Sequence, residues 1–185
     1  DAARRAVEAT VAQFGGLDVL VSNAAYFPPT RNLAELDEDI WRTTFEVNVH
    51  GAFRLCKHAI PIMSRQGGSI ILTASQMASV GHPGDVAYCA SKGALLTMAK
   101  ALALELAGQG IRVNTLSPGG TATEAMIRKH GSREAAEERW GRPMHPLGRL
   151  GTPEEMARAA LFLACEDSSF MTGTDLLVDG GYTAR

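Results

Sequence analysis

The chain has 185 residues, of which 45% are hydrophobic and 21% charged, and a net charge of −2 from 18 basic and 20 acidic side chains. That is enough for one domain with a real core, and the dispersed charge argues against nucleic acid or a lipid surface as partner. No apolar run approaches the ~20 residues of a membrane span.

The N-terminal segment DAARRAVEATVAQF is charged and helical rather than a signal peptide. Ala6, Val7, Thr10, Val11 and Phe14 set the helical spacing, and Gly15-Gly16 stops it. LDVLVS (17–22) is a short apolar run that predicts a buried strand, ended by Asn23. Pro28-Pro29 marks a loop. Asp37, Glu38 and Asp39 place acid at a helix start, where backbone N–H groups lack partners. The helix from about 39 to 65 is expected to bury Ile40, Phe45, Val47, Phe53, Leu55 and Ile62 and to kink near Pro61. Gly67-Gly68 leads into SIILTAS, a second strand. Residues 86–107 form a helix broken by Gly108 and Gly110. IRVNTLS is a third strand, ended by Pro118-Gly119-Gly120. Thr152-Pro153-Glu154-Glu155 opens another helix with a Thr cap, a proline at the first position and Glu three residues after the cap. DLLVDGG is the last strand.

Helix and strand alternate, and the strands are short and apolar. This predicts an α/β fold, a doubly wound parallel sheet with helices on both faces. Such sheets bind ligands beyond the carboxyl ends of their strands. The residues there are Asn23, Ala24 and Ala25, then Ser75 and Gln76, then Pro118 and Gly119. No repeat, low-complexity tract or linker interrupts residues 1–185, which read as a single domain. Cys56, Cys89 and Cys165 are far apart and form no CxxC pair, so free, buried thiols in a reducing cytoplasm are expected. The five histidines and scattered carboxylates show no metal-ligand spacing.

Tyr88 and Lys92, in YCASK, are i and i+4 and share a helix face. An ammonium beside a phenol favours the phenolate and lowers its pKa from ~10. A tyrosine so tuned exchanges protons with a hydroxyl or carbonyl near neutral pH; the same spacing also occurs as plain helix surface. Ser75, at the end of the second strand, is placed either to polarise a substrate oxygen or to cap a turn. Asn48, within VNVHG, is either a satisfied core amide or holds a kinked helix open towards Lys92 through a water.

Taken together, these four residues resemble the short-chain dehydrogenase/reductase family. SNAA (22–25) is similar to the family's NNAG segment, with Ala25 in place of the glycine. Asn48, Ser75 and the YxxxK pair Tyr88 and Lys92 stand in the family's order and spacing. RVNTLSPGGTAT (112–123) is similar to the segment whose Pro-Gly turn flanks the nicotinamide, and MTGTDLLVDGG (171–181) to the terminal strand. The resemblance implies a Rossmann-like three-layer α/β/α sandwich. It implies NAD or NADP as cofactor, a small alcohol or carbonyl as substrate, and hydride transfer with Tyr88 as acid/base. Ser75 would orient the carbonyl, Lys92 would lower the Tyr88 pKa and bond the nicotinamide ribose, and Asn48 would sustain a proton relay through water. Asn23, Ala24, Ala25, Pro118, Gly119, Thr121 and Thr123 would line the cofactor.

The family's glycine-rich phosphate loop has no counterpart here. No G-x-x-x-G-x-G occurs, and none of the glycine pairs opens a helix after an N-terminal strand. The expectation is therefore the C-terminal portion of a Rossmann-like sheet, truncated at its N-terminus, with LDVLVS as an open edge. A non-catalytic oligomerisation or interaction module derived from the family is the alternative. Residues 121–150 resemble the family's variable substrate lid, and Met126, Trp140 and Met144 are candidates for its apolar lining. Gln76, Met77 and His82 flank Ser75 and Tyr88 as candidate substrate contacts. The helix 86–107 is apolar on two faces, with Val86, Ala90, Ala94 and Met98 on one and Leu95, Leu102 and Leu106 on the other. One face suits the core, and the second suits a homodimer or tetramer of the family's type.

Overall fold

The computed structural model describes residues 1–184. Helix α1 spans Ala2–Phe14. The Asp1 carboxylate accepts from the Ala3 and Arg4 amides, and Gly15 ends the helix in the left-handed region at φ 83°. Strand β1 is Val19–Ser22. Helix α2, Glu38–Phe45, is capped by Asp37, whose side chain accepts from Asp39 N. It runs through one π-turn, Glu46–His50, into α3, Gly51–Met63. Strand β2 is Gly68–Thr73, α4 is Val86–Leu106 and β3 is Ile111–Pro118. Three short helices follow: α5, Glu124–His130, α6, Arg133–Ala136, and α7, Arg142–Met144. A second π-turn, Glu137–Gly141, joins α6 to α7. Helix α8, Pro153–Ala164, carries the full capping box between Thr152 and Glu155, and β4 is Asp175–Val178.

The four strands form one parallel sheet in the order β1-β2-β3-β4. Adjacent residues of β2 point to opposite faces. Ile70 and Leu72 pack with Val7 of α1, Met63 of α3 and Leu95, Ala99 and Leu106 of α4. Ile71 faces the other way, towards Leu163 of α8 and Leu116 of β3. The result is an α/β/α sandwich of Rossmann-like type. A tight glycine junction sets the amino ends of the two central strands. A Cβ on Gly67 would lie 2.7 Å from the Gly110 carbonyl oxygen, so the turns into β2 and β3 meet backbone to backbone.

Three expectations shift. The irregularity of the second helical segment is the π-turn at Glu46–His50 rather than a kink at Pro61, which lies inside α3. Phe53 is 51% exposed, because Ala52, Cys56, Ala59 and Met63 make up the core face of α3. Of the three free cysteines only Cys56 is buried, where desolvation pushes its thiol up to about 12; Cys89 and Cys165 are half-buried. No helix of the described residues is long and apolar enough to cross a membrane.

Candidate active site

All four strands run the same way, so their carboxyl ends share one edge. There the chain opens a cleft of about 700 Å³, within the range of small-molecule sites. Four segments line it. Residues 26–29 follow β1, residues 75–77 follow β2, Pro118 to Thr121 close β3, and Thr123 to Lys129 lead into and form α5. Tyr88 from the first turn of α4 and Trp140 complete the wall.

Ser75 begins a single turn, Gln76–Ala78, and its hydroxyl oxygen accepts from Met77 N at 3.2 Å. That leaves the hydroxyl hydrogen to donate, and the Ser75 hydroxyl is near enough to the Tyr88 phenol to act on its pKa. Burial pushes the phenol pKa up, and the Ser75 hydroxyl draws it part of the way back. Phe27 packs on Tyr88 with ring centroids 4.5 Å apart.

Lys92 is only 2% exposed. Its Nζ donates to the Thr73 carbonyl at 2.6 Å and lies 5.7 Å from the Tyr88 ring centroid. Burial draws the ammonium down to about 8. This reverses the expected electrostatics: the phenol is held above its ordinary value, not below it. Desolvation dominates, and the lysine is turned to the end of β2.

Asn48 occupies the first π-turn and is 2% exposed. Its Oδ1 accepts from Tyr26 N at 2.7 Å, and its Nδ2 donates to Tyr26 O at 3.0 Å and Ser91 Oγ at 3.0 Å. Ser91 in turn donates to the Tyr88 carbonyl. Asn48 is therefore a fully used core amide that ties the segment after β1 to the helix of Tyr88. It is not among the residues lining the cleft, and neither is Lys92.

The expected cofactor residues divide. Pro118, Gly119, Thr121 and Thr123 line the cleft, together with Gln76, Met77 and Met126. Asn23, Ala24 and Ala25 are exposed and do not. Both threonine hydroxyls have local work: Thr121 donates to the Gly119 carbonyl, and Thr123 caps α5 by accepting from Met126 N. Gly119 and Gly120 are demanded by close approach. A Cβ on Gly119 would sit 2.7 Å from Asp179 Cα, and one on Gly120 would sit 2.8 Å from the His145 ring. Gly120 N donates to His145 Nε2, while His145 Nδ1 lies 3.0 Å from the Trp140 carbonyl. That pattern places the neutral imidazole's proton on Nδ1.

Trp140 lines the cleft as expected and Met144 does not. His82 packs on Trp140 with centroids 5.7 Å apart. Its Nδ1 is 2.7 Å from the buried Asp85 carboxylate but off the axis of a straight hydrogen bond. Residues 26–29, Gly120, Ala125 and Lys129 are the cleft residues the sequence did not single out. YFPP follows directly on SNAA at the strand edge, and that adjacency was the available signal. Among the described residues no group of three or more His, Cys, Asp or Glu is placed to hold a metal ion.

The cleft also fits the nicotinamide end of a dinucleotide. Its floor is glycine backbone at Gly119 and Gly120, and Gln76 Oε1 is buried beside it with no partner. An orphaned acceptor of this kind is costly unless a guest supplies a donor.

The parallel α/β sandwich sets Ser75 and Tyr88 at its strand-edge cleft, and its likeness to known proteins gives the class, an oxidoreductase. The family model described as enoyl-(acyl carrier protein) reductase matches residues 1–183. An uncharacterised oxidoreductase of Thermotoga maritima is 40% identical over 185 residues, covering 98% of this chain and 73% of that protein. L-fucose dehydrogenase of Bos taurus is 41% identical over 180 residues, covering 96% and 66%. A 3-oxoacyl-[acyl-carrier-protein] reductase of Thermotoga maritima is 40% identical over 187 residues, covering 98% and 72%. The chain thus spans roughly two thirds to three quarters of these relatives. It belongs to the short-chain dehydrogenase/reductase family.

Proposed function

We propose that the protein interconverts a secondary alcohol and a carbonyl with NAD or NADP, Tyr88 serving as general acid/base. The observation that carries this is that Ser75 and Tyr88 line the same strand-edge cleft, near enough for the serine to act on the phenol. The bound nicotinamide supplies or accepts the hydride; Gln76, Pro118 and Gly119 would hold it. Ser75, its oxygen already bonded to Met77 N, turns its hydrogen to the substrate oxygen. Tyr88 then moves one proton to or from that same oxygen. Burial keeps the phenol protonated, the form that carbonyl reduction draws on. Lys92 fixes the end of β2 beneath Ser75 through Thr73. Residues 121–150 serve as the substrate lid.

Tyr88→Phe in the full chain should lower NAD(P)H turnover by at least ~100-fold with the fold intact. Turnover above a few per cent in the variant would remove Tyr88 from its role. The open edge of β1 favours a second reading, an interaction module without turnover. Wild-type protein inert towards a panel of ketones and both cofactors would favour that reading.

The free thiols suit a reducing, cytoplasmic setting. A homodimer or tetramer through α4 is supported by Leu104, 86% exposed, and by the exposed Ala90 and Ala101 on the same helix.

A further inference from the structure

We propose that Lys129 is a specificity-determining residue that selects substrates carrying an anionic group at the end remote from the reacting carbon. This rests on the oxidoreductase reading above and deepens it.

Among the side chains that line the cleft, Lys129 alone is formally charged. The remaining walls are aromatic, proline, methionine, glycine and neutral polar groups. Its ammonium lies 5.5 Å from the Phe27 ring centroid, and Phe27 lies 4.5 Å from Tyr88. By the triangle inequality the ammonium is within 10 Å of the Tyr88 ring centre. A small scaffold can therefore reach both, its carbinol at Ser75 and Tyr88 and its anion at Lys129.

The nearest ordinary role for Lys129 is complementing the carboxyl end of α5, whose last turn reads Arg128, Lys129, His130. Arg128 stands in the same last turn, available for that role, and does not line the cleft. No carboxylate of the described residues forms an ion pair with Lys129, whereas Arg149, Arg54 and Arg42 all have one. Lys129, an exposed residue, instead lies over the Phe27 ring at the cleft wall. Desolvation first, then Lys129 and Arg139, lower the His130 pKa, so Lys129 and Arg139 are two cations on this side of the cleft. One cation at the wall of an otherwise uncharged chamber is an arrangement that discriminates by charge.

The test is calorimetric titration of the cofactor-loaded full chain with cis-4-hydroxycyclohexanecarboxylate, its phosphate-ester analogue and neutral cyclohexanol. At low salt the tighter of the two anions should bind about tenfold better than the neutral alcohol, and the advantage should shrink as salt screens it. In Lys129→Met the anion-to-neutral affinity ratio should fall to about one, and Lys129→Arg should restore it. Equal affinities in the wild type, no binding of either anion, or an unchanged ratio in Lys129→Met would overturn the proposal. Because the readout is affinity, its failure is distinct from loss of turnover, which would instead strike the oxidoreductase reading. The preferred anion identifies the source as a carboxylate or a phosphate ester.

Discussion

At the residue scale, two buried polar side chains do more than their positions announce. Asn48 makes a two-sided clamp on the Tyr26 backbone and a third bond to Ser91. Asn48→Ala would leave the Tyr26 amide and carbonyl unpaired beneath the cleft wall. The expected cost is about 1–3 kcal/mol, read as a lower urea midpoint at unchanged slope, with faster exchange of the Tyr26 amide proton. Lys92 gives a pH signature. Its folded pKa of about 8 lies below its ordinary 10.5 because burial penalises the ammonium. Below about pH 8 both states carry the charge and the folded state bears that penalty. From about 8 towards 10.5 the folded state releases the proton while the unfolded state keeps it, so stability rises with pH. The gain between pH 8 and 10 should be about 2 kcal/mol. Above 10 the raised Tyr88 phenol works the other way, since the folded state retains a proton that the unfolded chain gives up. Lys92→Met should flatten the rise in urea denaturation measured from pH 7 to 10; an unaltered rise would refute the assignment.

At the scale of elements, α4 carries the site and the surface together. Its core side is Ala87, Ser91, Lys92, Leu95, Ala99, Ala103 and Leu106. Small residues let it approach β3 closely, and this seats Tyr88 at the strand edge. The expected second stripe is only partly realised: Val86, Ala94 and Met98 are half-buried within the subunit, and the exposed apolar surface centres on Leu104. Leu104→Glu should therefore halve the mass seen in sedimentation, or reduce it further, with unchanged helical circular dichroism. An unaltered mass would exclude α4 as the interface. The capping box of α8 was legible because it is a pattern of adjacent residues. The π-turn at Glu46–His50 was not, because its cause lies elsewhere: the amide of Asn48 must reach the residue that follows β1.

At the scale of the whole molecule, the sheet order and its two apolar faces agree with the alternation of the sequence. Val21 is 45% exposed on β1, an edge strand among the described residues, while α8 lies chiefly over β2, β3 and β4 and shares a cluster with β1 at Val19. The cleft was legible as a place, because strand ends are set by short runs such as IRVNTLS followed by PGG. The grouping of its side chains was legible in part. Ser75 and Tyr88 line the same cleft, whereas Lys92 turns to Thr73 and Asn23, Ala24 and Ala25 stay outside the wall.

The amino-acid sequence by itself determined the alternation of elements, the parallel α/β class and the family, because periodicity, caps and spaced motifs are local properties of the chain. Only the tertiary structure decided the direction of the Tyr88 shift, the partner of Lys92, the clamp of Asn48 and the lone cation at the cleft wall. Burial and hydrogen-bond partnership are set by residues distant in sequence, such as Tyr26 against Asn48 and Phe27 against both Tyr88 and Lys129. In a desolvated site those distant neighbours fix the charge of a side chain more strongly than the one four residues away.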